Sequence, residues 1–493
     1  MAEPSAASGP QSGDRIERWV WRLSFVVLIG TVMPILDTTI VNVALDTLAN
    51  DLHTTLSQVQ WVVTGYMLSL AAVIPVSGWA ARRFGAKQVY IISLVLFVIG
   101  SALSGLATSI DELIFFRVLQ GLGGGMIMPL GMLIMADAAG PKRMGRVMSI
   151  ISVPVMLAPI LGPTIGGLLI QGASWRWIFY VNVPIGIVAV ITALRTLTHT
   201  ETGEAGKLDF SGLVLMGGGA ALLTYGLAEI GTTGSFSSVK VVVPIIGGLA
   251  AIALFAVRAL RIPNPLLDLR LYRRPTFSTA SIAMFCLAGA LFGGQVLLPL
   301  YWQGIRHESV IQTGLLMGPM GIGAALSMPL AGKLTDRYGG GPIALLGVSI
   351  VTVLTIPFGL IGAHTSILWL SIVSAFRGTG IGFGFMPAMT AAFASLDRSE
   401  LSDATPQLNV LQRVGGSIGV ALLAVVLQRA LVGTHTLSAM ASAYGTAFWA
   451  STILSALAIV PCILLVRAER AARTAHPDLA EDGAERALEA AAA

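Results

Sequence analysis

Apolar stretches about twenty residues long recur between residues 23 and 466, and the short segments between them hold most of the charge. An α-helix rises about 1.5 Å per residue, so such a stretch matches the roughly 30 Å of hydrocarbon in a bilayer. Water is absent there, and backbone polar groups must be satisfied within the chain, which leaves helices or closed barrels. Uninterrupted runs such as residues 89–107 lack the alternation of barrel strands. The expected fold class is therefore an all-α membrane protein. With 55% hydrophobic and only 11% charged residues, a soluble reading is excluded.

Charges and Gly/Pro turns place spans near 23–46, 59–80, 88–108, 113–136, 147–170, 177–197, 210–231, 239–258, 276–302, 311–332, 342–363, 368–394, 407–431 and 444–466, about fourteen in all. Basic residues including Arg18, Arg82, Arg83, Lys87, Arg143, Arg195, Arg258, Arg274, Lys333 and Arg467 flank alternate loops, while the opposite loops hold little beyond Arg176, Lys240 and Arg306. The positive-inside rule then expects a multi-pass protein of the plasma (inner) membrane with both termini in the cytoplasm. Residues 1–14 are rich in Ala, Ser and Gly, and the first apolar run is too long for a signal-peptide core, so it is expected to remain as a helix.

The formal charge of +5 is scattered over many loops without a stripe or arm, so no nucleic-acid partner is expected. Cys286 and Cys462 both lie in apolar spans, which indicates neither a disulfide framework nor a thiol site. The six histidines fall in or beside loops and the tail with no pair at ligand spacing. No metal and no cofactor are expected.

A repeat runs through the array. GWAARRFG at 78–85 resembles GKLTDRYG at 332–339, and Met128-Pro129 recurs as Met386-Pro387, offsets of 254 and 258 residues. An offset of eight spans implies two six-helix halves with an extra pair between them. The expected organisation is a segment 1–22, a first half 23–197, an inserted pair with a cytoplasmic linker 198–275, a second half 276–466, and a tail 467–493. Residues 263–275 mix Leu with Arg and are too short to span, which fits an interfacial linker.

Ionisable groups in lipid are costly and therefore functional candidates. Asp37 alone among the acids lies deep in a span; Asp137 and Glu229 sit near span ends. Asp37 is roughly 21 Å along the first span, and Arg117 is about 7 to 10 Å into the fourth from the other side, so their depths agree. A carboxyl whose ionisation responds both to desolvation and to an approaching guanidinium is a proton switch. A static ion pair is the competing reading, although a buried pair seldom stabilises enough to explain itself. Gln120, three residues after Arg117, shares its helix face and either holds the guanidinium or contacts substrate.

The run Gly121, Gly123, Gly124 and Gly125 follows no strand and precedes no Lys-Ser/Thr pair, which points to close helix packing instead of a phosphate loop. In the fifth span, Pro154, Pro159, Gly162, Pro163, Gly166 and Gly167 permit a bend and a close helix contact. Glu229 reads as an interfacial anchor or a substrate contact, and Asp137 as a cap or a partner of Arg143 or Arg146. Trp61, Tyr66, Met126, Met128, Phe292, Gln295, Tyr301 and Phe383 are candidates for a cavity lining, with plain packing as the alternative for each.

Taken together, these segments resemble the fourteen-helix drug:proton antiporter branch of the major facilitator superfamily, over residues 20–466. LDTTIVNVAL at 36–45 looks like that branch's first-helix signature, with Asp37 implicated in proton coupling and Asn42 in its support. Arg117, Gln120, Gly121 and Gly124 match the fourth-helix proton-transfer motif. Gly162, Pro163, Gly166 and Gly167 match the antiporter motif, and WRW at 175–177 with NVP at 182–184 looks like a further marker. The cytoplasmic-gate motif maps to Gly78, Arg82, Arg83 and Gly85, and in the second half to Asp336 and Arg337.

Two departures qualify the resemblance. Arg82 stands where the family's first-half gate has an Asp, which removes the lock or changes its polarity. Ala375 stands where the repeat predicts an Arg, with Arg377 displaced by two residues, so coupling is expected to be concentrated in the first half. The resemblance implies a proton-coupled exporter of lipophilic or amphipathic small molecules working by alternating access, a monomer whose partners are protons, substrate and membrane lipids. An exporter of lipid or an endogenous metabolite is the alternative on the same fold. A channel or membrane enzyme lacks support from any polar ring, acid pair, His cluster or nucleophile motif. The second half has no acid deep in a span, which favours neutral, zwitterionic or monocationic substrates over multivalent cations.

Overall fold

The demand that backbone polar groups be satisfied internally is met by helices, the only regular elements among the described residues of the computed structural model, which are 18–139, 162, 165–170, 172–197, 206–233, 237–397 and 400–475. Thirteen helices among these residues are long and apolar enough to cross a membrane. They coincide with thirteen of the expected spans; the remaining one, 147–170, lies mostly outside the described residues.

The first half comprises α1 (Arg18–Val43), a short α2 (Leu45–Asp51), α3 (Leu56–Val73), α4 (Ser77–Phe84), α5 (Ala86–Leu106), α6 (Ile110–Ala139), the turn α7 (Trp177–Tyr180) and α8 (Asn182–Thr196). The pair expected as an insertion is α9 (Phe210–Thr233) and α10 (Val239–Ala259). The second half comprises α11 (Pro275–Gly304), α12 (Val310–Tyr338), α13 (Gly340–Gly359), α14 (Ile367–Ala394), α15 (Leu401–Leu431), α16 (Leu437–Leu457) and α17 (Ile459–Ala475). The first expected span, 23–46, is broken after Val43, and its last residues belong to α2.

Local chemistry repeats with the same offset as the sequence. Thr55 and Ser309 open α3 and α12 with capping boxes, each hydroxyl accepting from the backbone N–H three residues on (Gln58, 3.3 Å; Gln312, 3.2 Å) while that Gln side chain accepts in return. Both second spans end at a glycine with positive φ, Gly85 at 85° and Gly339 at 94°, which lets the chain reverse directly into α5 and α13. α3 and α4 are joined through a 3-10 turn, Ile74–Val76, containing Pro75.

The halves share one hydrophobic core toward the face carrying Arg82. Met33, Tyr66, Phe97, Met132 and Met135 pack there with Met284, Phe385, Leu401 and Leu408. Toward the opposite face the cores are separate. Ile40, Val41, Val59, Val62 and Phe179 form one in the first half, and Leu298, Tyr301, Trp302, Phe358 and Phe448 another in the second. The two halves are thus packed closed at the Arg82 face.

Helix α9 of the inserted pair lies against both α3 and α15, and its Leu223, Leu227 and Ile230 join Ala421 and Val425 of α15. The linker corrects one expectation. Leu266, Leu267 and Leu271 are buried in the shared core instead of facing a lipid interface, and burial pushes the neighbouring Tyr272 phenol up to about 12.

Candidate functional site

Asp37 lies where the shared core gives way to the first-half core, between Met33 and Ile40, and it is fully buried. Arg117 on α6 donates through Nη1 to Asp37 Oδ2 at 2.5 Å and to Gln120 Oε1 at 2.7 Å. Gln120 Nε2 donates to Asp37 Oδ1 at 2.9 Å, and Asn182 Nδ2, at the start of α8, donates to the same oxygen at 3.0 Å. Asn182 also reaches Ser101 Oγ on α5 at 3.1 Å, and Arg117 Nε donates to the Val62 carbonyl on α3 at 3.2 Å. The guanidinium carbon stands 4.1 Å from the Tyr66 ring centre and 5.7 Å from that of Phe179.

The i, i+3 spacing on α6 brings Arg117 and Gln120 to one carboxylate, and each other partner comes from a different helix. One acid therefore holds α1 against α6 and α8, and its partner arginine holds α3. Removing its charge leaves Arg117 buried without a counter-ion, a costly state that favours rearrangement. The depth match expected between Asp37 and Arg117 is realised as direct contact.

A second polar constellation closes the Arg82 face. Arg82 Nη1 lies 2.8 Å from Asp403 Oδ1 and donates to Ser402 Oγ at 2.8 Å, both partners being at the start of α15 in the other half. Gly78, one turn earlier on α4, faces the Ser402 carbonyl so closely that a β-carbon collides with it. The basic residue at the expected gate position thus meets an acid across the interface, with the charges in reversed order. Gly85 supplies the turn after α4, while Arg83, Asp336 and Arg337 are exposed. Beside the bridge lies a cavity of about 150 Å³ lined by Trp79, Lys207, Asp209, Asp268 and linker residues.

Of the described part of the antiporter motif, Gly162 faces Thr39 and Gly166 faces Ile40, both on α1 within three residues of Asp37, whereas a β-carbon on Gly167 meets open space. Pro163, Pro154 and Pro159 lie outside the described residues, as do Arg143 and Arg146, the expected partners of Asp137.

Several expected site residues stand elsewhere. Asn42 is exposed and takes no part in the network; the amide serving Asp37 is that of Asn182, which lies on α8 where the chain re-enters beside α1. Tyr301 packs instead of lining a cavity: it is fully buried, donates to the Gly362 carbonyl at 2.7 Å, and meets Trp302 and Tyr444 edge-on. Glu229 engages Tyr225, whose ring stacks on Trp61 at 5.9 Å, so it helps anchor α9 to α3. Met126 and Gln295 are half-buried, Met126 against the shared core.

Sequence reasoning missed three residues. Asp403 was hidden by its position at a span end, and Asn182 by its reading as a family marker. Arg413 was overlooked because basic residues were read for topology; it is half-buried midway along α15, on the face of Asn409, whose Nδ2 lies 3.8 Å from Met132 Sδ across the interface. Among the described residues no group of His, Cys, Asp and Glu has the makings of a metal site.

Comparison with known proteins extends this picture. Residues 27–420 match the sequence model of the Major Facilitator Superfamily. The chain is 38% identical over 429 residues to the multidrug resistance protein B homolog of Mycobacterium tuberculosis (strain ATCC 25618 / H37Rv), covering 85% of this chain and 79% of that protein. It is 29% identical over 403 residues to the multidrug export protein EmrB of Haemophilus influenzae, covering 81% and 79%. Among solved structures, the proton:xylose symporter XylE superposes with a TM-score of 0.63 over 90% of this chain and 94% of that one, at 14% identity, a likeness of fold alone.

Proposed function

The chain belongs to the major facilitator superfamily and is a multi-pass membrane transporter, not an enzyme, and from that premise we propose that it is a drug:proton antiporter. On this reading it exports lipophilic or amphipathic small molecules across the plasma (inner) membrane by alternating access, as a monomer in contact with lipid, with both termini in the cytoplasm. Halves 23–197 and 276–466 rock about a central space, and the inserted pair within 198–275 seals one seam through α9.

The observation that carries the proposal is the buried carboxylate of Asp37, held by Arg117, Gln120 and Asn182. With the Arg82 face closed, a proton arriving from the opposite side neutralises Asp37. Arg117 then loses its counter-ion, and the two amide donors lose part of their reason to hold α1. α1 shifts against the glycine face around Gly162 and Gly166, and the Arg82–Asp403 bridge opens. Substrate enters from the cytoplasm, and release of the proton there restores the ion pair. The names of the relatives support drugs as the substrate class, and Arg413 at the interface weighs against multivalent cations.

Purified protein in liposomes with an imposed pH gradient tests the coupling. Asp37→Asn keeps the shape of the site and removes the titrating group, so gradient-driven drug transport and drug-induced proton movement are both expected to vanish. Undiminished coupled transport by this variant would sink the assignment.

A further inference from the structure

Helix α15 marks the level at which the shared core gives way to the separate cores of the two halves. Ser402, Pro406, Asn409, Arg413, Ser417 and Val420 form one stripe of it at helical spacing. The part nearest Arg82 faces the first half: Pro406 and the Ser402 carbonyl meet Gly78, and Asn409 Nδ2 lies 3.8 Å from Met132 Sδ on α6. Ser402, Pro406 and Asn409 are buried, whereas Arg413, Ser417 and Val420 keep accessible surface. The space between the halves therefore begins at Arg413. Helices α6 and α15 run in opposite directions, so one turn on from the Asn409–Met132 contact sets Arg413 level with Met128, which is half-buried.

Two arginines lie mid-span in the second half, and they differ in access. Arg377 donates through Nε to Thr355 Oγ1 at 3.0 Å, and its Nη2 is sealed from any accessible surface. Arg413 makes no hydrogen bond or ion pair with the described residues, yet it is only half-buried and none of its nitrogens is sealed. No acid of the chain answers it. Asp37 is taken by Arg117, Gln120 and Asn182, and the acids of residues 276–466 are Glu308, Asp336, Asp397, Glu400 and Asp403, all in loops or the end turns of helices. The segment 140–164 contains no acid either. A guanidinium stays protonated in proteins, and a partly desolvated charge without a counter-ion is disfavoured. The surroundings are apolar: Gly416, three residues on and on the same side of α15, meets Phe292 of α11, whose ring remains 41% exposed.

We propose that Arg413 anchors the substrate: the exported compound is an amphipathic organic acid whose acidic group pairs with this guanidinium while its apolar part rests against Phe292 and Met128. The inference rests on the export reading above and names its substrate class. The guanidinium fork donates two parallel bonds to a carboxylate or sulfonate and repels a cation at the same place. Arg117 does not compete for the acid, because it is fully buried and already paired with Asp37.

Binding of tritiated 2-naphthalenesulfonate to the purified full chain, read by scintillation proximity without a pH gradient, tests the assignment. Saturable binding is expected, displaced about tenfold less well by 2-naphthylmethanol or 2-naphthyltrimethylammonium than by the unlabelled sulfonate. Arg413→Gln is expected to weaken binding about tenfold or more, and Arg413→Lys, which keeps the charge without the fork, to fall between it and the unaltered protein. Absence of saturable binding to the unaltered protein would overturn the proposal. So would displacement by the ammonium compound as effective as that by the sulfonate, or an unchanged affinity in Arg413→Gln. Because no gradient is imposed, failure here leaves the Asp37 coupling assay standing, and failure of that assay leaves the preference for acids readable.

Discussion

Reversing the charge of Arg82 tests whether the bridge to Asp403 is the gate that holds this face shut. The pair is half-buried, with side-chain exposures of 26% and 20%, so it ranks between an exposed pair worth about 0.2 to 1 kcal/mol and a buried one whose breakage costs about 3 to 5. Losing the 2.8 Å contact and the Ser402 bond, then adding repulsion between two acids, brings Arg82→Glu to about 2 kcal/mol against closure. That corresponds to roughly a thirtyfold change in the ratio of closed to open molecules. Spin labels on the exposed residues Gln88 and Lys333, on opposite halves at this face, report the ratio as a distance distribution. Arg82→Glu is expected to populate a longer distance, and the exchanged pair Arg82→Asp with Asp403→Arg to restore the short one. An unchanged distribution in Arg82→Glu, or a double exchange as open as either single reversal, refutes the gate.

Three further outcomes follow from the same geometry. Asn182→Ala removes one of the two amide donors to Asp37 and is expected to weaken drug-driven proton movement several-fold while leaving membrane insertion unchanged, read in the liposome assay. Tyr301→Phe loses the bond to the Gly362 carbonyl and is expected to lower the unfolding temperature slightly, at a cost of about 1 kcal/mol, without altering the drug profile; a changed profile would return Tyr301 to the cavity wall. Arg413→Gln removes the cation at the interface between the halves and is expected to shift the susceptibility profile of expressing cells toward resistance to cationic compounds, relative to neutral ones.

The spans were legible because the bilayer imposes one length and one polarity, and residue-level accidents scarcely disturb either. The Asp37–Arg117 contact was legible for a related reason: few ionisable groups lie inside spans, and helical rise alone matches their depths. What escaped the sequence were choices between equivalent partners. Asn42 and Asn182 offer the same amide, and only the packing of α8 against α1 selects Asn182. Tyr301 has the composition of a cavity residue, yet it is claimed by a carbonyl of the loop between α13 and α14. The gate departure was visible as Arg82, but its answer lies 321 residues away at Asp403, where nothing local distinguishes a bridge from a helix-end charge.

The proposed coupling site and the proposed gate are joined by the second span. Arg117 grips α3 through the Val62 carbonyl and the Tyr66 ring, while Arg82 and Gly78 grip α15 from α4, about 18 to 30 Å further along the same span. Between them the 3-10 turn at Ile74–Val76 interrupts the helix, and Pro75 cannot donate the bond that would stiffen it. On the proposed mechanism, a proton on Asp37 releases the upper grip, and separation of Arg82 from Asp403 releases the lower one. Because both contacts bias the position of one segment, each is stronger when the other is made, which is the thermodynamic content of coupling. The reversed polarity of the gate fits this arrangement: closure needs opposite charges on α4 and α15, and either order of sign supplies them. If the bridge is the lock, Arg82 in place of an acid leaves it intact and moves its acid to the second half.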